Sequence, residues 1–151
     1  MIKLELEGFE NLSDLPLSLR LLVQVAVGKA GEAYVESVRE YVEKEKPWIP
    51  RTGHLLQTIH WFEIEDFSVK VVGEGDELKY GKFLEFGTKE PYIIKPREKK
   101  ALKIPIENGY IFRKKVIHPG IKPRPWFFLE IHEQKAKEAF RKTIKEGIEN
   151  G

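Results

Sequence analysis

The longest regular pattern in the sequence lies in residues 16–46, where apolar side chains recur every three or four positions. This spacing puts them on one face of an α-helix and predicts a single long amphipathic helix. Ser13 and Asp14 precede it as good N-cap residues, and Pro47 ends it near Lys46 because a proline disfavours helix in the residue before it. The apolar positions are Leu19, Leu22, Val23, Ala26, Val27, Ala30, Ala33, Tyr34, Val38, Tyr41 and Val42.

The first half of this helix is apolar on nearly all sides, because Leu21 and Val25 fall outside the main apolar face. We expect such a helix to be deeply buried or covered by a partner. No apolar run in the chain approaches the roughly 20 residues that a membrane span requires, so we expect no membrane contact.

The remaining segments predict short strands and a second helix. Ile2, Leu4 and Leu6 alternate with charged residues, as in a half-buried strand. Two pairs of strand-like segments each predict a hairpin, one turning at Glu65-Asp66 and one at Asn108-Gly109. The segments are 59–64 with 67–72, 102–106 with 110–117, a helical turn at 78–85 closed by Gly87, an irregular stretch at 118–125 and a helix at 126–149. We therefore expect one α+β domain over residues 1–151, with a long N-terminal helix and a C-terminal helix packed on an antiparallel sheet of about four or five strands.

The composition excludes several kinds of chemistry. The chain has no cysteine, so disulfides, thiol catalysis and cysteine-based zinc sites are excluded. Its charged residues make up 33% of the chain and are rich in Lys and Glu, a bias typical of hyperthermophile proteins, in which charge networks replace thermolabile residues.

The net charge of +2 hides a strong segregation along the chain. Residues 1–88 carry ten basic and sixteen acidic side chains, whereas residues 89–124 carry eleven basic and three acidic ones. The two parts therefore have net charges of −6 and +8, and the remaining residues balance. A basic middle segment of this kind can attract polyanions, or it can dock on the acidic part of a neighbouring copy.

Candidate catalytic groups are sparse. The four histidines do not show the H-x-x-x-H spacing of a helical zinc site, although a metal site built from His60, His118 and Glu85 is conceivable in three dimensions. No serine stands in a G-x-S-x-G elbow, and the glycines match neither the P-loop nor the dinucleotide-binding fingerprint. We therefore expect no catalytic nucleophile, no cofactor and no metal.

Carboxylates offer a different alternative, a metal-dependent nuclease. Glu63, Glu65 and Asp66 are close in sequence, and Glu85 is a fourth candidate. However, Glu63 and Glu65 fall on one strand face opposite the apolar Phe62, as on the solvent side of any hairpin. This pattern favours a solvated hairpin over a metal-dependent nuclease.

The basic segment is the strongest functional signal in the composition. Tyr92, Tyr110 and Phe112 are interleaved with its cations and are able to stack on bases, so residues 95–124 are a candidate nucleic-acid-binding module. The structural alternative is a solvated hairpin, in which edge lysines protect strands from aggregation. The expected contact residues for a partner or DNA are Lys95, Arg97, Lys99, Lys100, Arg113, Lys114, Lys115, Lys122 and Arg124.

Several motifs follow one another in a fixed order: "LEGFENLSDLPLSL", "RTGHLLQTIHW", "YGKFLEFGT", "IIKPREKKALKIP" and "KKVIHPGIKPRPWFFLEI". In this order they resemble the tail-component family of tailed phages, the head–tail connector or tail-completion proteins of the HK-ninety-seven gene-ten-like type. Thr58 replaces the serine of the family's T-G-x-L-x-x-S-I signature, and Gly81 replaces the alanine of its Tyr-Ala…Val-Glu-Phe-Gly-Thr signature. The matching positions are Thr52, Gly53, Leu55, Ile59, Tyr80, Glu85, Phe86, Gly87, Thr88, His118, Pro119 and Gly120.

The resemblance implies a structural virion protein without catalysis, encoded by a virus or prophage. Such proteins sit at the head–tail junction or the head-proximal end of the tail as a ring, often hexameric, in contact with other neck or tail proteins. They are in the host cytoplasm before assembly. Gly53 and Gly87 would then be turns with unusual backbone angles, and Glu85 a hydrogen-bond acceptor or an intersubunit ion-pair partner. A basic hairpin that lines a lumen would contact passing DNA weakly and without sequence preference.

Overall fold

The structure, a computed structural model, describes residues 2–4, 15–48, 53–64, 67–73, 76–88 and 91–150. Its helices are α1 (Leu17–Glu45), α2 (His54–Gln57), α3 (Asp76–Phe86) and α4 (Glu130–Glu149). Its strands are β1 (Ile2–Leu4), β2 (His60–Ile64), β3 (Ser68–Val72), β4 (Tyr92–Ile94), β5 (Leu102–Ile106), β6 (Gly109–Arg113) and β7 (Val116–His118). Among these residues, no helix has the length and apolar character needed to cross a membrane.

The predicted α+β class, with a long N-terminal and a C-terminal helix, is confirmed. In the described part of the chain the strands form three antiparallel sheets, with the orders β1-β3-β2, β4-β7 and β5-β6. The predicted hairpin of residues 59–64 and 67–72 corresponds to β2 and β3. The predicted caps Ser13 and Asp14, the residue Leu6 and the Glu65-Asp66 turn lie outside the described residues.

Helix α1 lies on one face of the three-stranded sheet and approaches it through small residues. A Cβ atom on Gly28 or Gly31 would stand 3.3 or 3.2 Å from the ring of Trp61, so a side chain at either position would require this ring to shift. From β3, Val69 and Val71 are fully buried under the helix. The apolar spacing of α1 thus produces the predicted buried face, with Val38, Tyr34 and Val42 in its core.

Glu63 lies opposite Phe62 on β2, as predicted, but its face is the one that lies toward α1. Trp61 and Glu63 alternate with Phe62 along the strand, and Glu63 lies on the side of α1, where the Gln24 amide donates a hydrogen bond of 3.1 Å to its Oε2. Glu63 is exposed, as expected, but it shares its face with Trp61, whereas Phe62 points to the other face and is 39% exposed. The reason is that the large Trp61 ring packs on the glycines of α1 and fixes which residues face the helix.

Helix α4 runs antiparallel to α1. Ser37 of α1 lies beside His132 near the start of α4, and Leu22 lies beside Gly147 near its end, where a Cβ atom on the glycine would overlap the leucine side chain. The helix begins at Glu130, although the apolar spacing predicted a start at Trp126. The difference has a tertiary cause, because the backbone N–H groups of residues 126–128 bind a side chain from another part of the chain.

The second predicted hairpin is confirmed with a shifted turn and a shorter second strand. Ile106 pairs with Gly109, so the two turn residues are Glu107 and Asn108, and the positive φ of +130° falls on Gly109. Strand β6 ends at Arg113, and residues 116–118 pair instead with β4, a strand that was not predicted from the sequence. The short helix α2 was also not predicted, and α3 extends beyond the predicted 78–85 at both ends.

Candidate functional site

Glu85 joins the end of α3 to the segment that leads into α4. The residue is buried, and its Oε2 accepts hydrogen bonds from the backbone N–H groups of Trp126 at 2.7 Å and Phe127 at 2.9 Å. Its Oε1 accepts from the N–H of Phe128 at 3.2 Å. Both carboxylate oxygens are therefore engaged by backbone donors that would otherwise lack a partner, which is the arrangement a buried carboxylate requires.

Further hydrogen bonds join the same two segments. The indole Nε1–H of Trp126 donates to the carbonyl oxygen of Gly81 at 3.2 Å, and the N–H of Arg124 donates to the carbonyl oxygen of Leu84 at 2.7 Å. Gly81 stands where the family resemblance has alanine, and a Cβ atom there would lie 3.1 Å from both Leu55 and Trp126. We call residues 81–88 and 121–128 together the Glu85 joint.

Gly87 ends α3 in the left-handed conformation that the sequence predicted. Its φ is +69°, and its N–H donates to the carbonyl oxygen of Phe83 at 2.9 Å, as in a helix C-terminal cap. A Cβ atom on Gly87 would stand 2.5 Å from the carbonyl oxygen of Ile121, so the position demands glycine for space as well as for φ. The N–H of Thr88 donates to that same carbonyl oxygen at 2.8 Å, and the Thr88 hydroxyl accepts from the N–H of Ile121 at 2.7 Å.

The other motif positions divide into buried and exposed ones. Leu55 and Ile59 are buried in the core, whereas Tyr80 and Phe86 are exposed. Gly53 has the predicted positive φ, +72°, with open space around it. His118, Pro119 and Gly120 lie at the end of β7 and beyond it, where the His118 ring stacks on Tyr92 and its Nδ1 accepts from the N–H of Gly120 at 3.1 Å. Thr52 lies outside the described residues.

A buried Ser37–His132 pair, which was not predicted from the sequence, links α1 to α4. His132 is fully buried; because a carbonyl oxygen only accepts, its Nε2 carries the proton and donates to Trp126 at 2.9 Å. Its Nδ1 then accepts from the Ser37 hydroxyl at 2.8 Å. Burial lowers the pKa of His132, partly opposed by its hydrogen bond to Trp126 and by the charge of Glu85. The signal in the sequence is the position of Ser37 inside the apolar face of a helix.

The same cluster contains Tyr34, whose hydroxyl donates to the carbonyl oxygen of Phe127 at 2.7 Å. Burial raises the pKa of Tyr34 far above its ordinary value, and the charges of Glu133 and Glu85 raise it further. A serine hydroxyl that donates to a histidine can be activated as a nucleophile. Here both groups are buried, and the second ring nitrogen holds a backbone carbonyl, so this pair connects the two helices.

The metal sites suggested by the sequence do not form among the described residues. No three His, Asp or Glu side chains among these residues are close enough to hold a metal ion, so His60, His118 and Glu85 do not make a ligand set. Glu63 binds Gln24, and Glu85 binds backbone N–H groups, so these two nuclease candidates have separate partners. Glu65 and Asp66 lie outside the described residues.

The basic residues lie on residues 91–125, which we call the basic arm. All of these residues are described, and none of them is buried. Tyr110 and Phe112 are 58% and 64% exposed, and the ammonium group of Lys103 lies 3.8 Å from the centre of the Tyr110 ring. The nine cations predicted as contact residues are all exposed on this arm, from Lys95 to Arg124.

An exposed aromatic patch lies beside the Glu85 joint. The rings of Phe86 and Phe128 stand 5.8 Å apart at its surface, next to a cavity of about 300 Å³ that Ile59, Val72 and Lys82 also line. This patch and the basic arm both expose large apolar side chains.

Comparisons of the chain with protein-family models, with curated proteins and with solved structures found no match. The resemblance to the phage tail-component family accordingly rests on the motifs quoted above.

Proposed function

We propose that the chain is a structural virion protein of a tailed phage or prophage, a ring-forming connector or tail-completion component at the head–tail junction. The observation that carries the proposal is the basic arm, in which residues 91–125 have no buried side chain and several large apolar ones are exposed. A segment of this length is ordered by a partner when it has no core of its own. Assembly into a ring supplies that partner.

The Glu85 joint supports a role without catalysis. The conspicuous carboxylate of the "YGKFLEFGT" motif accepts three backbone hydrogen bonds, so it orients the chain at the start of α4. A general acid or base needs a free lone pair or proton that faces substrate. Glu85 is buried and both its oxygens accept backbone hydrogen bonds, which agrees with the acceptor role that the resemblance implies for this position.

The direct test of assembly is the mass of the purified protein in solution. We expect light scattering coupled to gel filtration to give a mass several times that of the 17.6 kDa chain, rising with protein concentration. Rings should then be visible by electron microscopy. A chain that remains monomeric at high concentration and at every salt concentration contradicts the proposal.

The virion part of the proposal has a separate test in the genome. The neighbouring genes should encode portal, capsid and tail-tube proteins. If the neighbouring genes encode unrelated metabolic proteins and the protein still assembles, the assembly part of the proposal stands and the phage part is wrong.

A nucleic-acid-binding module is the second candidate, and the exposed cations with Tyr110 and Phe112 favour it. It predicts binding to single- or double-stranded DNA that falls steeply with salt, and a smaller salt slope when Arg113, Lys114 and Lys115 are replaced by glutamine. Absence of DNA binding at low salt, or binding that does not change with salt, contradicts it.

A further inference from the structure

We propose that the basic arm of one copy docks on the exposed face of α1 in a second copy, so that copies associate head to tail. The interface rests on the proposed assembly and specifies which two surfaces form it. Because the arm and the helix face are different parts of the chain, the contact is heterologous and repeats from copy to copy. A contact of this kind closes into a ring or continues as a filament.

The arm supplies apolar and basic groups at its hairpin. Tyr110, Phe112 and Ile106 are all about half exposed or more on β5 and β6. Lys99 and Lys100 stand just before β5, and both are exposed. Within the described residues, neither lysine makes a salt bridge, so their charges are available to a partner.

Helix α1 supplies the complementary groups on one exposed stripe. Leu21 and Val25, 53% and 55% exposed, are followed at helical spacing by Glu36, Glu40 and Glu43, which are also exposed. No described residue forms a salt bridge with any of these three glutamates. The stripe is therefore apolar in its first half and acidic in its second half, whereas the arm is apolar and basic.

Two cations of α1 near this stripe have partners in their own chain. Arg39 donates from its guanidinium to the carbonyl oxygen of Ile59 at 2.9 Å, so its head group is held against α2 and β2. Lys29 pairs with Glu32 at 2.7 Å on the exposed surface.

The dimensions of the two surfaces agree. A hairpin with five residues in each strand is about 17 Å long. Val25 and Glu36 are separated by about 17 Å along α1, at about 1.5 Å per residue. One hairpin is thus long enough to contact the apolar and the acidic half of the stripe at once.

The aromatic patch of Phe86 and Phe128 fits the arm less well. Lys82 lines the cavity beside this patch, and the carboxylate of Glu85, which also lines it, already accepts three backbone hydrogen bonds. Docking a second basic arm there would bring like charges together, which costs free energy, whereas α1 offers opposite charges. The charge distribution therefore selects α1.

The test uses charge reversal on the two surfaces of the full-length chain. The arm variant carries Lys99→Glu, Lys100→Glu and Lys103→Glu, and the helix variant carries Glu36→Lys, Glu40→Lys and Glu43→Lys. The control variant, Lys137→Glu, Lys142→Glu and Lys145→Glu, makes the same charge change as the arm variant on the exposed side of α4. Circular dichroism checks that each variant is folded, and glutamine at the same positions replaces the charge reversal in any variant that is not.

We expect the arm and helix variants each to need about tenfold more protein for half-maximal assembly, while the control assembles like the wild type. A 1:1 mixture of the arm and helix variants should assemble again. In the mixture the acidic arm meets the basic helix face, the native arm meets the native helix face, and both contacts are attractive. Mass photometry measures the distribution of masses in each sample.

The outcomes separate this interface from the proposed function. A monomeric wild type overturns both. An assembled wild type that neither variant changes overturns the interface and leaves the proposed function in place. Loss of assembly in both variants without recovery in the mixture also overturns the interface, as does loss of DNA binding by the arm variant with its assembly unchanged.

Discussion

The Glu85 joint and the basic arm overlap at residues 121–125, and the rest of the arm differs sharply in character from the joint. In the joint, the carboxylate, the Trp126 indole and the Thr88 hydroxyl all bind backbone groups of the same chain. In the arm, residues 91–125 contribute no buried side chain, and six of its large apolar side chains are exposed. The joint stabilises the folded chain by itself, whereas the order of the arm is expected to depend on a partner. Substitutions in the two regions should therefore differ sharply in their effect on stability.

The largest effect is expected for Glu85→Ala. The substitution leaves three backbone N–H groups at the start of α4 without an acceptor, and we expect a loss of about 3–5 kcal/mol in the free energy of unfolding. Chemical denaturation monitored by tryptophan fluorescence measures it. The matched control is Glu98→Ala, which removes an exposed carboxylate from the arm and should change stability by less than about 0.5 kcal/mol. Similar values for the two substitutions would remove the distinction between joint and arm.

A pair of glycine substitutions separates backbone conformation from close packing. Gly87 and Gly53 have almost the same φ, +69° and +72°, but only Gly87 stands against a backbone carbonyl, that of Ile121. We expect Gly53→Ala to cost about 1 kcal/mol, the strain of the left-handed conformation alone. Gly87→Ala should cost about 3 kcal/mol, because the methyl group also has to displace the chain at Ile121. Thermal unfolding of both variants measures the difference, and equal costs would show that the contact at Gly87 relaxes freely.

Because His132 is buried between α1 and α4, we expect the free energy of unfolding to depend on pH. Burial lowers the pKa of this histidine in the folded chain below its ordinary value of 6.5, so the unfolded chain takes up the proton first as the pH falls. Its contribution to stability is complete above pH 6.5 and is lost as the pH falls from there toward the lowered pKa, with a limiting slope of about 1.4 kcal/mol per pH unit.

The measurement is urea denaturation at a series of pH values between about 7.5 and 5.5. His132→Gln should be less stable at neutral pH, because the glutamine packs less well between Ser37 and Trp126, and it should lose this part of the pH dependence. His118→Gln, on the arm, should keep the wild-type slope. A slope that is unchanged by His132→Gln would mean that other groups cause it.

The comparison also explains which features the sequence could predict. The helix over residues 16–46, the two hairpins and the cap at Gly87 depend on spacing and turn chemistry within a few residues, and these predictions are confirmed. The start of α4, the Ser37–His132 pair and the orientation of Glu63 depend on groups far away in the chain. A periodic pattern contains no information about such partners, and the prediction of α4 accordingly began at Trp126, four residues too early.

The smallest effect on stability is expected in the arm, at Phe112→Ser. The ring is 64% exposed, so its removal should change the free energy of unfolding of the monomer by less than about 0.5 kcal/mol. In an assembly that uses the arm, the same ring is buried by the second copy, and its loss should cost about 1–3 kcal/mol of association free energy. Unfolding at low protein concentration and assembly at high concentration therefore have to be measured on the same variant. Folding and association respond differently to this one substitution. A variant that folds normally but no longer assembles would show that the arm binds another chain.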